Sequence, residues 1–167
     1  MALLVATSSL ASAGDDVSAA DLQAAARAIG FLNSAPNDGT LVVGIVYADS
    51  PNGKAKASQT AALLGSMQGP NKEKFRTILL PEKDLSHAAE RLDAVILTPG
   101  VSPNLIADAV RRRRVMSISS DANCLDTKCC VLMVQTSGRV RIVLDTALAD
   151  AVGARFSTIF MMMVERR

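Results

Sequence analysis

Short apolar runs alternate with amphipathic segments along most of this chain, and their spacing predicts the elements of the fold. The runs have the length of fully buried strands and predict strands at residues 40–47, 75–80, 94–98 and 115–119. Helices are predicted before and between them, at residues 19–33, from Ser50-Pro51 onward, at residues 84–92 and from Ser102-Pro103 to Arg114. Such alternation is typical of proteins with a parallel sheet.

The C-terminal third follows a different pattern. Residues 130–136 and 139–144 predict two strands joined at Ser137-Gly138, where glycine accepts the positive φ of a tight turn. Asp145 is then predicted to be the N-cap of a helix, and Gly153 is predicted to end the same helix. Together the elements predict one α/β domain over residues 14–167, with three layers and a mainly parallel sheet that ends in a C-terminal antiparallel hairpin.

The composition narrows the function classes. With 167 residues and 49% hydrophobic content, the chain can bury one substantial core. Aromatic residues make up only 3%, so the stacking platforms that bind single-stranded nucleic acid are scarce, and a net charge of +2 does not indicate such a partner. No apolar run reaches the ~18 residues of a membrane span. We therefore expect no nucleic-acid partner and no membrane-spanning helix.

The first thirteen residues are uncharged and apolar in their middle, and they close on Ala11-Ser12-Ala13. Small residues at these positions are typical of a signal-peptidase site. Residues 1–13 are therefore predicted to be a signal peptide that is cleaved after Ala13, and the mature chain is expected to be exported.

No catalytic or cofactor site can be assembled from the sequence. His87 is the single histidine, and the sequence contains no GxSxG motif, the nucleophile elbow of hydrolases, that this histidine would activate. The Asn52-Gly53-Lys54 segment lacks the first glycine and the hydroxyl residue of a phosphate-binding loop. A zinc site would need further Cys or His ligands, because structural zinc is held by four. We expect no enzyme activity, no cofactor and no metal.

All three cysteines lie in the segment CLDTKCC. In an exported chain they predict one disulfide and one remaining thiol. Cys129 and Cys130 are poor partners for each other, because adjacent Cα atoms lie ~3.8 Å apart whereas disulfides prefer about 4.4 Å or more. Cys124 is therefore one partner, and the bond either staples its loop or responds to the redox state.

Four consecutive arginines, Arg111, Arg112, Arg113 and Arg114, fall at the end of a predicted helix. Cations complement the negative end of the helix dipole, so a solvated helix end is one interpretation of this run. Contact with an anion or with a protein partner is the other.

Three stretches of the chain resemble the YfiR-like family of periplasmic regulators. The resemblance is carried by "ISSDANC", by "GRVRIVLDTALADAVGARFSTIFMMMV" and, near the N-terminus, by "AAARAIGFLNSAPNDGTLVVGIVYADSP". It implies a disulfide of Cys124 with Cys130 or Cys129, linked to stability and redox response. Some family members have a second bridge, which three cysteines cannot form.

The resemblance also implies a function. It indicates a non-enzymatic periplasmic protein that binds an inner-membrane signalling protein, typically a diguanylate cyclase that makes cyclic-di-GMP, and represses it. A small-molecule-binding periplasmic protein is the alternative, because "LVVGIVYADSP" would suit the first strand and loop of one lobe of a transport-system binding protein. Pairing of two copies into a homodimer is a further hypothesis.

Overall fold

The structure is a computed structural model that describes residues 17–33 and 39–167. The predicted signal peptide, residues 1–13, lies outside the described residues. The strands of the described part are β1 (Thr40–Tyr47), β2 (Lys74–Pro81), β3 (Ala94–Leu97), β4 (Met116–Ser119), β5 (Leu132–Gln135), β6 (Arg141–Leu144) and β7 (Glu165–Arg166). The helices are α1 (Ala19–Gly30), α2 (Pro51–Gly65), α3 (Pro103–Arg113), α4 (Thr146–Val152) and α5 (Thr158–Met163).

The described strands form one sheet in the order β2-β1-β3-β4-β5-β6-β7. The first five pair in parallel, β5 and β6 are antiparallel, and the two-residue β7 pairs in parallel with β6. The predicted fold class is confirmed: the protein is α/β, with a mainly parallel sheet and a C-terminal antiparallel hairpin.

Helices cover both faces of this sheet. The crossovers through α2 and α3 run in opposite directions along the strand order. Because such crossovers are right-handed, α2 and α3 lie on opposite faces. Helix α1 packs against α2, and α4 packs against α3. The central strands are buried on both faces, as the consecutive residues Ile45 and Val46 of β1 and Ile96 and Leu97 of β3 show, which explains why they are continuous apolar runs in the sequence.

One predicted helix is wrong. Residues 84–92 do not form an α-helix; a 3-10 turn spans Glu82–His87 instead. Leu85 is the only buried residue of this turn. Leu92, which would continue an apolar stripe, instead packs against the core just before β3, where the next amide, that of Asp93, donates to the Val42 carbonyl at 2.8 Å. The Glu82 carboxylate also accepts a hydrogen bond from the Ser102 amide at 2.5 Å, which ties the turn to the start of α3.

The C-terminal hairpin has a longer connection than the predicted tight turn. Residues 136–140 join β5 to β6, and Gly138 in this loop has the predicted positive φ, at 78°. The loop is held from outside the hairpin: Oδ1 of Asp21 accepts hydrogen bonds from the Thr136 amide at 2.7 Å and its hydroxyl at 2.8 Å. Asp21 also completes the capping box of α1 with Ser18. One buried carboxylate therefore fixes both α1 and the hairpin loop.

Replacing Asp21 with Ala should lower the free energy of unfolding by about 1–3 kcal/mol, because the Thr136 amide loses its acceptor and α1 loses half of its capping box. Urea denaturation measures the change. Asp108→Ala, which removes an exposed carboxylate from α3, is the matched control. Equal stability of the two variants would show that the Asp21 contacts contribute nothing.

Candidate functional site

A half-open apolar groove lies between α1 and α5, above the C-terminal hairpin, and has a volume of about 490 Å³. Its α1 wall consists of Ala20, Gln23, Ala24, Arg27, Ala28 and Phe31. The opposite side consists of Thr136, Val140, Ile142, Phe160, Met163 and Val164. Arg27 is the only charged residue among them, so the groove is apolar with one cation at its rim.

Helix α5 is anchored to α1 by aromatic contacts at the end of this groove. The Phe160 ring lies 4.8 Å from the ring of Phe156 and 5.6 Å from that of Phe31. The Ser157 amide donates to the Phe31 carbonyl at 3.0 Å, and the Ser157 hydroxyl caps α5. These contacts position α5 although it has only six residues.

The outer side of α5 is exposed and apolar. Phe160 is the only buried residue of this helix, whereas the exposed fractions of Ile159, Met162 and Met163 are 60%, 76% and 61%. Val140 of the hairpin loop is also 62% exposed. The structure thus buries one residue of α5 and leaves the others exposed or partly exposed.

Sequence reasoning missed the α1 wall of the groove. The signal for it is the spacing of Ala20, Ala24 and Ala28, which repeats every four residues and follows one side of the helix. That row lies beside the buried stripe of Leu22 and Ile29. A helix with a second apolar row has more apolar surface than its contact with the sheet can bury.

The disulfide joins Cys124 to Cys130, with a Cα–Cα distance of 5.3 Å, and leaves Cys129 as a free, buried thiol. Burial raises the pKa of the Cys129 thiol, although a hydrogen bond from the Thr127 hydroxyl at 3.3 Å opposes the shift. Because the thiolate is the reactive form, Cys129 is a poor nucleophile at neutral pH.

The loop closed by this disulfide contacts both ends of the segment that carries α4 and α5. At one end, Nζ of Lys128 lies 2.5 Å from Oδ2 of Asp145, the N-cap of α4. At the other end, Asp126 accepts a hydrogen bond at 2.9 Å from the guanidinium of Arg167. The disulfide loop is therefore connected to the wall of the apolar groove.

Asp145 is the electrostatic centre of these contacts. Its side chain is 2% exposed, and Oδ1 accepts a hydrogen bond from the Leu148 amide at 2.9 Å. Burial by itself would raise the pKa of Asp145. The bonds from Lys128 and Leu148, together with the positive charges of Lys128 and Arg167, outweigh burial and hold this pKa below its usual range.

The four consecutive arginines lie at the end of α3, where the sequence predicts a helix end. Arg112 lies 3.8 Å from Asp108, and Arg113 donates to the Glu90 carbonyl at 3.0 Å. Arg114 has left-handed backbone at the helix end, and its guanidinium reaches Gly153 at the end of α4. The run thus contacts neighbouring elements but keeps most of its charge at the surface.

Neither metal ligation nor membrane insertion is indicated for the described residues. His87 lies exposed at the end of its 3-10 turn, and no group of three or more His, Cys, Asp and Glu residues in the described part of the chain could hold a metal ion. Within residues 17–33 and 39–167, every helix is too short or too polar to cross a bilayer.

Comparison with known proteins assigns no family: no protein-family model matches the chain, and no curated protein is significantly similar to it. The resemblance to the YfiR-like family therefore stays a prediction from its motifs. The groove, the disulfide loop and the arginines are the features on which a function can be based.

Breaking the disulfide should destabilise the protein more than removing the free thiol. Cys124→Ser should lower the free energy of unfolding by about 2 kcal/mol, the loop-closure entropy of so short a loop, whereas Cys129→Ala keeps the bond. Urea denaturation measures both variants. In unfolded wild-type protein, alkylation without reductant should label Cys129 alone; three labelled cysteines would show that the bond is absent.

The lowered pKa of Asp145 predicts the pH dependence of stability. The carboxylate stabilises the fold above its unfolded pKa, near 3.9, and this contribution is lost as the pH falls through the lower folded pKa. Asp145→Asn should therefore be less stable than wild type by about 1 kcal/mol at pH 7, and the difference should shrink below about pH 4. Thermal unfolding across pH measures it, with Asp108→Asn as the exposed control. A difference that persists in acid would contradict this assignment.

Proposed function

We propose that this protein is a non-enzymatic periplasmic regulator that binds an inner-membrane signalling protein of the diguanylate cyclase type and represses it. The observation that carries the proposal is the apolar groove with the exposed side chains of α5 at its rim. The family resemblance supplies the class of partner, and the cyclic-di-GMP made by that partner would be the output.

The shape of the groove favours a protein surface as its ligand. From Ala20 to Phe31 the α1 wall is about 16 Å long. Because the groove is half-open along this wall, it can accept a row of partner side chains over about three turns of α1. Contiguous exposed apolar surface of this kind marks interaction sites on soluble proteins.

The methionines suit a regulatory contact. Met162 and Met163 of α5 are exposed beside the groove, and Met161 of the same helix is partly buried. Methionine side chains are unbranched and polarizable, so they adapt to the shape of a partner. Binding at α5 would cover side chains that are otherwise exposed to water, which provides a hydrophobic driving force.

The disulfide loop supports a redox-responsive form of this regulator. The loop contacts Asp145 and Arg167, the two ends of the segment that carries α5. Reduction would free the residues between Cys124 and Cys130 and loosen both contacts. The α5 wall of the groove would then be less firmly held, and partner binding would weaken.

A small-molecule binder is the second candidate, because the volume of the groove falls within the roughly 300–1,000 Å³ of ligand pockets. Arg27, Gln23 and Thr136 would provide polar contacts. The regulator is preferred because Ile159 and Met162 are exposed on the same helix without lining the groove, and a small ligand in the groove would leave them in water.

Met163→Asp should weaken binding of a membrane cyclase's periplasmic region about ten-fold or more, because it places a charge at the apolar rim. Leu105→Asp is the matched control, since Leu105 is 41% exposed on α3, on the opposite face. Calorimetry with the purified region and cyclic-di-GMP levels in cells measure the effect. Equal affinities of both variants would argue against the groove, and no binding by wild type would argue against this partner.

A further inference from the structure

Basic residues gather at the edge of the sheet where its parallel strands begin. Lys72 and Lys74 stand at the start of β2, Arg91 precedes β3, and Arg113 and Arg114 precede β4. We call these five residues the basic edge. Together they hold five positive charges in a protein whose net charge is +2.

The register of the sheet places the residues of the basic edge at a similar height along the strand direction. Lys74 pairs with Thr40, whereas Ala94 pairs with Val43, three residues further along β1, and with Met116. Arg91 lies three residues before Ala94, and Arg114 lies two residues before Met116. Both therefore lie at about the same height along the strand direction as Lys74. With strands about 4.8 Å apart, the cations extend over about 14 Å from β2 to β4.

Three carboxylates lie near the basic edge and lower its net charge, but none forms an ion pair with it. Glu73 is buried and accepts bonds from Asn71, Asp93 accepts a bond from the Val42 amide at 2.8 Å, and Glu90 pairs with Arg76 at 2.8 Å. In residues 17–33 and 39–167, no carboxylate lies within ion-pair distance of the basic edge. Four of its side chains are exposed and Arg113 is partly exposed, so their charge faces solvent.

Helix ends account for only part of this charge. Arg113 and Arg114 are the last residue and the C-cap of α3, and the Arg114 guanidinium lies beside the end of α4. A helix C-terminus carries about half a negative charge. The last residue of α1, Gly30, packs against Pro70, so a further helix end lies near Lys72, whereas Lys74 and Arg91 belong to no α-helix.

We infer that the basic edge is a binding face for the headgroups of anionic phospholipids. Guanidinium groups form paired, charge-assisted hydrogen bonds with phosphate oxygens, and lysines add attraction to a negatively charged surface. The scarcity of aromatic residues disfavours single-stranded nucleic acid as the polyanion. The choice of a membrane over an acidic protein rests on the proposed function, which places the partner in the inner membrane.

This face and the apolar groove can be used at the same time. Gly30, the last residue of α1, packs against Pro70 and Glu73, next to Lys72 and Lys74 of the basic edge. The Phe31 end of the groove is therefore nearer to the basic edge than the Ala20 end. With the basic edge bound to the headgroups, the groove would open parallel to the membrane surface, toward a partner domain at the same membrane.

Flotation with vesicles tests the inference without a partner. The mature protein should bind vesicles of phosphatidylcholine with added phosphatidylglycerol, should lose this binding at high salt, and should not bind vesicles of phosphatidylcholine alone. Each cation near an anionic surface changes partitioning about five-fold, so Arg91→Gln with Arg114→Gly should bind roughly 25-fold more weakly. Glycine suits the left-handed backbone at position 114.

Lys54→Gln with Arg139→Gln is the matched control, because it removes the same charge from exposed positions outside the basic edge. It should bind nearly as well as wild type, and circular dichroism should show that both double variants are folded. Equal weakening of the two would mean that net charge alone acts, and would overturn the inference. Absence of wild-type binding would overturn it too, while leaving the proposed function untouched because no partner is present in the assay.

Discussion

The carboxylate of Asp145 joins elements that are distant in the sequence. Its oxygens accept from the Leu148 amide at the start of α4 and from Lys128 in the disulfide loop, and its own amide donates to the Val131 carbonyl at the start of β5. A buried carboxylate is tolerated only when it is paired and hydrogen-bonded. The loop must therefore keep Lys128 in place for the carboxylate to remain buried, and the disulfide restricts the positions that the loop can adopt.

Several local features could be predicted because the chain specifies them over a few residues. The strand at 40–47 is buried along most of its length, so its apolar run is uninterrupted, and Ser50-Pro51 and Gly153 mark helix ends by side-chain and backbone chemistry alone. Other features depend on distant contacts. The hairpin loop is held by Asp21, 115 residues away in the sequence, and nothing within residues 136–140 indicates that contact.

The cysteine pairing shows the same limit. The amides of Cys129 and Cys130 both donate to the Cys124 carbonyl, so the backbone places both residues close to Cys124. Adjacent side chains leave the backbone in different directions, and the packing around them decides which sulfur reaches Cys124. The sequence identifies Cys124 as a partner, but the choice between Cys129 and Cys130 depends on the fold. The groove was missed for a related reason, because its two walls come from opposite ends of the chain.

The topology explains why the proposed surfaces lie where they do. In open α/β sheets, ligands usually bind at the carboxyl ends of the strands, where the strand order reverses, which here is between β1 and β3. Polar groups in this region are already paired within the protein: Asp49 pairs with Lys83, Glu82 binds the Ser102 amide, and the Thr98 hydroxyl donates to the Val46 carbonyl. The hairpin, by contrast, extends the sheet beyond the helices that cover its parallel part. Its apolar face beside α1 is covered only in part by the short α5, so the antiparallel extension itself creates the groove.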